Sequence, residues 1–270
     1  MIETKGCDIH MIDGHIHIER GPYTLEWIDQ FVVRAVVEQI DEIWLLEHCY
    51  RFKEFVPMYD QACAYSSYID KWFHQKAGAF YFDDYRKLIE IIREKQYPVR
   101  IKFGLEVCYI EKYNEFVENI IRKKDLDFVV GSVHFVENFA FDHKSEHWDG
   151  IDVDHVYKKF FETSLSLARC GIYNGIAHPD SIKLFGHKPS YSLEEDYDAL
   201  AKSLAMNGMY AEENSGVYRR CSDTAELGMN QTLLHCMKAH GVTIITASDA
   251  HCPEDVGAYI PELCRLVEKA

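Results

Sequence analysis

The chain lacks a C-x-x-C pair, a glycine-rich phosphate-binding signature and any excess of basic residues, and no apolar run approaches the roughly 18 residues of a membrane helix. Each absence removes a class. Without paired cysteines there is no zinc ribbon and no disulfide framework, and nine scattered cysteines, an odd count, read as free thiols in a reducing, cytoplasmic setting. Without a Rossmann or Walker pattern, neither a dinucleotide enzyme nor a P-loop ATPase is expected. With 29 Lys and Arg against 44 Asp and Glu, the formal charge of −15 repels a phosphate backbone, so no nucleic-acid partner is expected. The N-terminal MIETKGCDIHMIDGH is polar and broken by Asp and His, which gives no membrane span there. A small-molecule partner is left, and the sequence says nothing about oligomeric state.

What is present fits one large core: 270 residues at 47% hydrophobic composition, read as a single domain over 1–270. Seven apolar runs have strand length, at 10–18, 42–48, 99–107, 128–135, 173–179, 208–214 and 242–251. Helical periodicity lies between them. Thr24 caps a helix with Ile28, Phe31, Val32, Ala35 and Val36 on one face. A second helix is expected over 83–96, with Leu88, Ile89, Ile91 and Ile92 apolar. A third, over 154–170, stops at Gly171. Ser192 and Glu195 have the spacing of a capping box for a helix ending near Gly208, and a last helix is expected over 224–240, closed by Gly241. Strands alternating with helices imply parallel pairing through right-handed crossovers.

Polar residues at the strand ends choose between an open sheet and a closed one. His15 and His17, two apart in DGHIH, share one strand face. His48, Glu106, His134, His178, Asp249 and His251 all come late in their runs. An open sheet would spread these ends along a line, whereas a barrel gathers them around one mouth. The expected fold is therefore α/β, a distorted (β/α)7 TIM-like barrel. Six imidazoles and two carboxylates suit zinc, manganese or iron(II) better than calcium or magnesium. Eight ligands exceed the needs of one ion, so two or three divalent metal ions are expected, with Glu106 as the bridge. Paired cations activate water and stabilise an in-line displacement, which points to phosphate-ester hydrolysis first and amide hydrolysis second. The other eight histidines carry no motif; His143 and His147, four apart in a polar loop, read as solvated.

DGHIH, LEHC, GLEVCY, GSVHF, AHPD and SDAH, in that order, resemble the motifs of the polymerase and histidinol phosphatase (PHP) superfamily. GLEV with Tyr109, GSVHFV, SIKLFG, ENSG with a following Arg and SDAH-x-PEDVG resemble its histidinol-phosphate phosphatase branch. The resemblance spans roughly residues 10–257. It implies a metal-dependent phosphatase that converts L-histidinol phosphate to L-histidinol and phosphate in histidine biosynthesis. It places ligands at His15, His17, His48, Glu106, His134, His178, Asp249 and His251, with Glu106, Asp249 and His251 at the reacting centre. Arg219 and Lys183 are the residues expected to bind the phosphate. The chain departs from the pattern where relatives carry a further His: it reads HIERGPYT and offers Tyr23, with Glu19 as a substitute ligand for a third ion. Cys108 also stands where Asp is common. The aromatic stretch 50–85 reads either as a lid over the mouth or, the favoured reading, as a satellite core or oligomer contact. Other small phosphate esters, or a noncatalytic module, stay open as alternatives.

Overall fold

A computed structural model describes residues 10–122 and 125–270, so Cys7 and the reading of the first nine residues lie outside the described residues. Seven parallel strands follow chain order around the molecule: β1 Ile12–His17, β2 Glu42–Leu46, β3 Arg100–Cys108, β4 Phe128–Ser132, β5 Gly175–Ile176, β6 Tyr210–Asn214 and β7 Ile244–Ala247. Each strand pairs in parallel with the next from β1 to β7. The seam between β7 and β1 carries one bridge, Ile16 to Ala250, with the His17 amide donating to the Ala250 carbonyl at 2.7 Å. Side chains complete it. The Thr246 hydroxyl donates to the Ile12 carbonyl, and the buried Asp13 carboxylate accepts from the Ser248 and Gly257 amides, each at 2.8 Å. A side chain at Gly14 would run into Ile245 and the Thr246 carbonyl, so this close approach requires glycine. The nearly closed seven-stranded barrel is the fold expected from the sequence.

The barrel has two cores because its strands are covered on both faces. Inside, Trp44, Leu46, Phe128, Val130, Ala177 and Tyr210 fill the floor. Gly104 and Gly175 leave room there for the rings of Phe128 and Tyr210. Outside, a larger core lies between strands and helices, including Ile16, Ile43, Leu45, Leu105 and Val107. Ile12 joins the interior floor, yet His15 and His17, of opposite parity, also face inward. The register shift between Asp13 and Ile16 reconciles them: a bulge there re-aims the side chains of the last turn of β1.

Helix α1, Leu25–Val37, is capped by Thr24 as expected and buries Ile28, Phe31, Val32 and Ala35, while Val36 stays exposed. The segment after β2 holds α2 Asp60–Tyr65, α3 Ser67–Lys76 and α4 Phe82–Arg93. The last of these ends short of the expected position 96, and Ile91 is half exposed. After α5, Asn114–Ile121, helix α6, Val153–Arg169, closes at Gly171 with φ +75°. Helix α7, Glu194–Met206, does not use a capping box: the Ser192 hydroxyl accepts the Glu194 amide two residues on, a local turn that satisfies the serine without Glu195. The short α8 spans Gly216–Arg220, and α9, Gln231–Ala239, begins well after Thr224. Gly228, at φ +75°, breaks the chain there, and Asn230 caps the helix that follows. Helix α10, Ile260–Lys269, closes the described chain.

Candidate metal centre at the barrel mouth

Four of the strands stop short of their apolar runs because the last residues of those runs leave the ladder to form the mouth, whereas β3 and β6 carry the ladder to the end of theirs. His48, His134, His178 and Asp249 each stand two residues beyond a strand end. His178 and Asp249 take positive φ, +31° and +56°, unusual backbone for residues other than glycine. Gly216 makes room for the second of these, since a side chain at that position would strike the Asp249 carboxylate. The ENSG motif is thus read in packing as well as chemistry.

Glu106 lies at the centre, fully buried. Its Oε1 is 3.0 Å from His134 Nε2 and 3.2 Å from His178 Nε2. Its Oε2 is 3.2 Å from His48 Nε2, 3.4 Å from His17 Nε2 and 3.6 Å from His15 Nε2. Asp249 Oδ1 faces His251, His17 and His15 Nε2 at 3.5, 3.7 and 3.8 Å. All eight residues expected as ligands therefore come together: seven form three overlapping groups, His15, His17 and Glu106; His17, Asp249 and His251; and His48, Glu106 and His134, and His178 joins them through Glu106. The donor set fits divalent cations. Donors around a tetrahedral ion at about 2.1 Å are about 3.4 Å apart, the spacing of these atoms. His15 and His17 bring their Nε2 atoms to 2.9 Å, and Glu106 Oε2 is buried without a hydrogen-bond partner among the described residues.

Carboxylates stand behind the rings. Glu212 meets His15 Nδ1 at 2.8 Å, Asp142 meets His134 Nδ1 at 2.8 Å, and Glu19 lies between His251 Nδ1 at 3.1 Å and His48 Nδ1 at 3.3 Å. In a neutral, metal-bound ring a hydrogen bond at Nδ1 would leave the Nε2 lone pair free for the cation. Burial opposes ionisation of Glu106, but His48, His134, His15 and His178 outweigh it and hold the carboxyl well below its usual range. Burial lowers the proton affinity of His17, and its neighbours His48, His251 and His15 lower it further. His17 is stacked between His48 and His251, with ring centroids at 3.9 and 4.4 Å.

A cavity of about 470 Å³ opens above the cluster. Arg20, Arg219, Arg220 and Asp255 line it. Arg219 is ion-paired to Asp255 and donates to the Ser248 carbonyl at 3.2 Å, whereas Arg220 donates to the Asp142 carbonyl at 2.7 Å. Lys183 is elsewhere. It is bonded to Asp180 at 2.8 Å and to the Gly228 carbonyl, on a second cavity lined by Tyr157, His187 and Glu226, and does not line the mouth. Tyr23 is also withdrawn. Its ring stacks on Phe80 at 4.2 Å, and burial, then Glu47, pushes its phenol far above the ordinary range. Glu19, by contrast, lines the cavity. Cys108 is a buried thiol of the cavity wall.

The aromatic segment serves two purposes rather than forming only a satellite core. Phe52, Phe55, Phe73, Phe82 and Tyr85 are buried in the outer core, while Tyr50, Tyr59, Tyr68 and Trp72 line the cavity. His143, expected to be solvated, lines it too. Sequence reading missed Glu212, Asp142, Arg20 and Arg220. Strand alternation could have found Glu212, which shares a face with Tyr210 and Asn214; Asp142 sits in a loop after the hairpin Phe135–Val136 and Phe139–Ala140 and carried no signal.

Comparison with known proteins adds three findings. A family model described as PHP domain matches residues 13–216, a span holding six of the eight cluster residues but not Asp249 or His251. Two curated proteins named probable histidinol-phosphatase are similar: one from Deinococcus radiodurans, 28% identical over 162 residues, 58% of this chain and 60% of its own length, and one from Schizosaccharomyces pombe, 26% identical over 191 residues, 65% and 62%. The chain thus spans less than two thirds of either relative. Among solved structures, histidinol phosphate phosphatase from Lactococcus lactis subsp. lactis Il1403, complexed with zinc, L-histidinol and phosphate, superposes with a TM-score of 0.70 at 18% identity, covering 96% of this chain and 93% of that one. The shared fold is the distorted barrel.

Proposed function

The chain belongs to the PHP domain family, and on that premise we propose that it is a metal-dependent phosphate monoester hydrolase acting on L-histidinol phosphate, in the cytoplasm and in histidine biosynthesis, as a single domain. The observation that carries the reading is Glu106, whose two oxygens face different sets of imidazoles. His15, His17, His48, His134, His178, Asp249 and His251 would hold the ions with it. When bound, zinc, manganese or iron(II) would supply an activated water and Lewis acidity toward the phosphate oxygens. The residues of the chain do the rest. Glu212, Asp142 and Glu19 fix the ring tautomers, and Arg219, with part of its guanidinium occupied by Asp255, keeps donors for a phosphate, as do Arg20 and Arg220. The number of ions, two or three, turns on whether Glu19 accepts protons from His48 and His251 or is itself a ligand.

The free thiols of the eight described cysteines are in keeping with a reducing compartment, and no helix among the described residues is long and apolar enough to cross a membrane. The test is phosphate release from L-histidinol phosphate beside sugar phosphates and nucleotides, by protein of measured metal content. A large preference for L-histidinol phosphate is expected. Activity confined to another ester would keep the chemistry and discard the substrate; silence at full metal occupancy would overturn the enzymatic reading.

A further inference from the structure

Among the described residues, five carboxylates line the cavity at the barrel mouth, and four of them have an imidazole to serve. Glu106 and Asp249 face the cluster, Asp142 meets His134, and Glu19 lies between His48 and His251. Asp255 is the exception. Among the described residues no histidine nitrogen pairs with it; its partners are the Arg219 guanidinium and the Cys252 thiol, whose Sγ is 3.3 Å from Oδ2. Burial opposes its ionisation, but Arg219, Cys252 and then Arg20 outweigh it and hold the carboxyl below the usual carboxylate range. Its side chain is 33% exposed, so this charge stands at the cavity surface rather than inside the fold.

The Arg219–Asp255 pair is not what holds this corner together. Asp255 ends the short turn Pro253–Asp255, and the residues after it are tied down by other groups: the Gly257 amide donates to Asp13 at 2.8 Å, and the Ser215 hydroxyl donates to the Ala258 carbonyl at 2.9 Å. Ser215 stands at the start of α8, the helix that carries Arg219, and the Tyr218 ring of that helix meets the Tyr259 ring at 5.3 Å. Arg219 has a second anchor in the Ser248 carbonyl, at 3.2 Å. Helix, turn and guanidinium are thus held by contacts that do not involve the Asp255 charge.

A guanidinium shared between a carboxylate and a phosphate holds the two anions about 6 Å apart, where like charges repel by enough to weaken binding on the order of tenfold. The ester and the inorganic phosphate product present the same oxygens to Arg219. A grip strengthened for one is therefore strengthened for the other, and it slows the departure of product. We infer that Asp255 is a counter-charge to Arg219 that limits how tightly the mouth holds phosphate, and so speeds release of inorganic phosphate after hydrolysis. That role rests on the proposed phosphatase activity, and Asp255 plays it through Arg219 rather than at the reacting atoms.

The experiment compares metal-loaded wild type, Asp255→Asn and Asp255→Ala in kcat and KM for L-histidinol phosphate and in the inhibition constant of inorganic phosphate, with metal content and thermal unfolding measured for each. Asparagine keeps the shape and an acceptor for Arg219 without the charge. Asp255→Asn should lower the inhibition constant on the order of tenfold and lower KM with it, while kcat does not rise and metal content stays at the wild-type level. Asp255→Ala, which also removes the acceptor, should tighten phosphate in the same direction. A raised KM and inhibition constant in Asp255→Asn would make Asp255 a clamp that orients Arg219 and would overturn the counter-charge; constants within about twofold of wild type would overturn it as well. Wild-type protein that hydrolyses no ester at full metal content would instead overturn the phosphatase reading. Calorimetric titration of the same three proteins with inorganic phosphate would then still decide the role of Asp255, since tighter binding by Asp255→Asn sustains the counter-charge and equal or weaker binding removes it.

Discussion

The floor and the mouth of this barrel are made by the same strands a few residues apart, and they solve burial in opposite ways. On the floor, Leu46, Phe128, Val130 and Tyr210 interlock as apolar volume, helped by Gly104 and Gly175. At the mouth, the same strands and their extensions supply Glu106 and Glu212, buried as deeply, and His48 and His134, partly buried. Apolar packing satisfies itself, whereas converging lone pairs and anionic oxygens do not. The floor holds the barrel together, and the mouth is an incomplete interaction that cations complete. If so, substitutions in the two layers should separate stability from chemistry.

The largest effect is expected from Glu106→Gln. The amide keeps the shape but removes the charge that serves both groups of imidazoles, so bound metal and phosphate release should fall together, the rate by on the order of a thousandfold or more. Metal analysis alongside turnover checks it. Retained turnover at full metal content would end the bridging assignment. Leu46→Ala is the matching change on the floor, at a fully buried position. It should cost about 3 kcal/mol of stability, seen as a lower thermal midpoint, while activity per bound metal stays near wild type. Equal damage to both properties would mean that the two layers are not separable.

Glu19→Gln comes next. A carboxylate that fixes two ligand rings typically contributes 10-fold to 100-fold in metal affinity, on the order of 1–3 kcal/mol. Titration with zinc should show that weakening. The stoichiometry carries the finer answer: loss of one equivalent makes Glu19 a ligand, and an unchanged count makes it the acceptor for the Nδ1 protons of His48 and His251.

The two layers were not equally legible in the sequence. All seven strands, the barrel and the eight cluster residues could be read, because a strand ending in His, Asp or Glu violates the apolar pattern in a way chemistry alone explains. What supports the cluster was harder. Asp13, two residues before His15, has no role legible in the sequence and closes the seam to β7, a role that only the three-dimensional neighbours Ser248 and Gly257 reveal. Lys183 follows AHPDS as a phosphate ligand would, yet the turn after His178 carries it to a different cavity. Loop direction decides both, and no periodicity encodes it. The aromatic stretch posed the same difficulty: Phe52 and Tyr50 are two apart, and one is core while the other lines the cavity.

The smallest expected effect sharpens the comparison on a single strand. Glu212 and Glu213 are adjacent in β6, so alternation sends them to opposite faces. Glu212 enters the barrel and meets His15. Glu213 enters the helix layer, where it accepts the Met229 amide at 3.1 Å and leaves Oε1 buried without a partner among the described residues. Burial pushes its carboxyl up to about 8, with Asp180 and Glu226 adding to the shift and the Met229 amide and Lys183 opposing it. In the unfolded chain the group ionises near 4.5. Between those values the unfolded state has released a proton that the fold retains, so stability falls as pH rises from 4.5 toward 8 and levels off above it. Glu213→Gln mimics the protonated form. It should match wild type in thermal midpoint near pH 4.5, exceed it by a few degrees near pH 9 and leave metal content unchanged. A variant whose midpoint tracks wild type across that range would show that Glu213 titrates normally, and that burial outside the barrel is not the burden it is at the mouth.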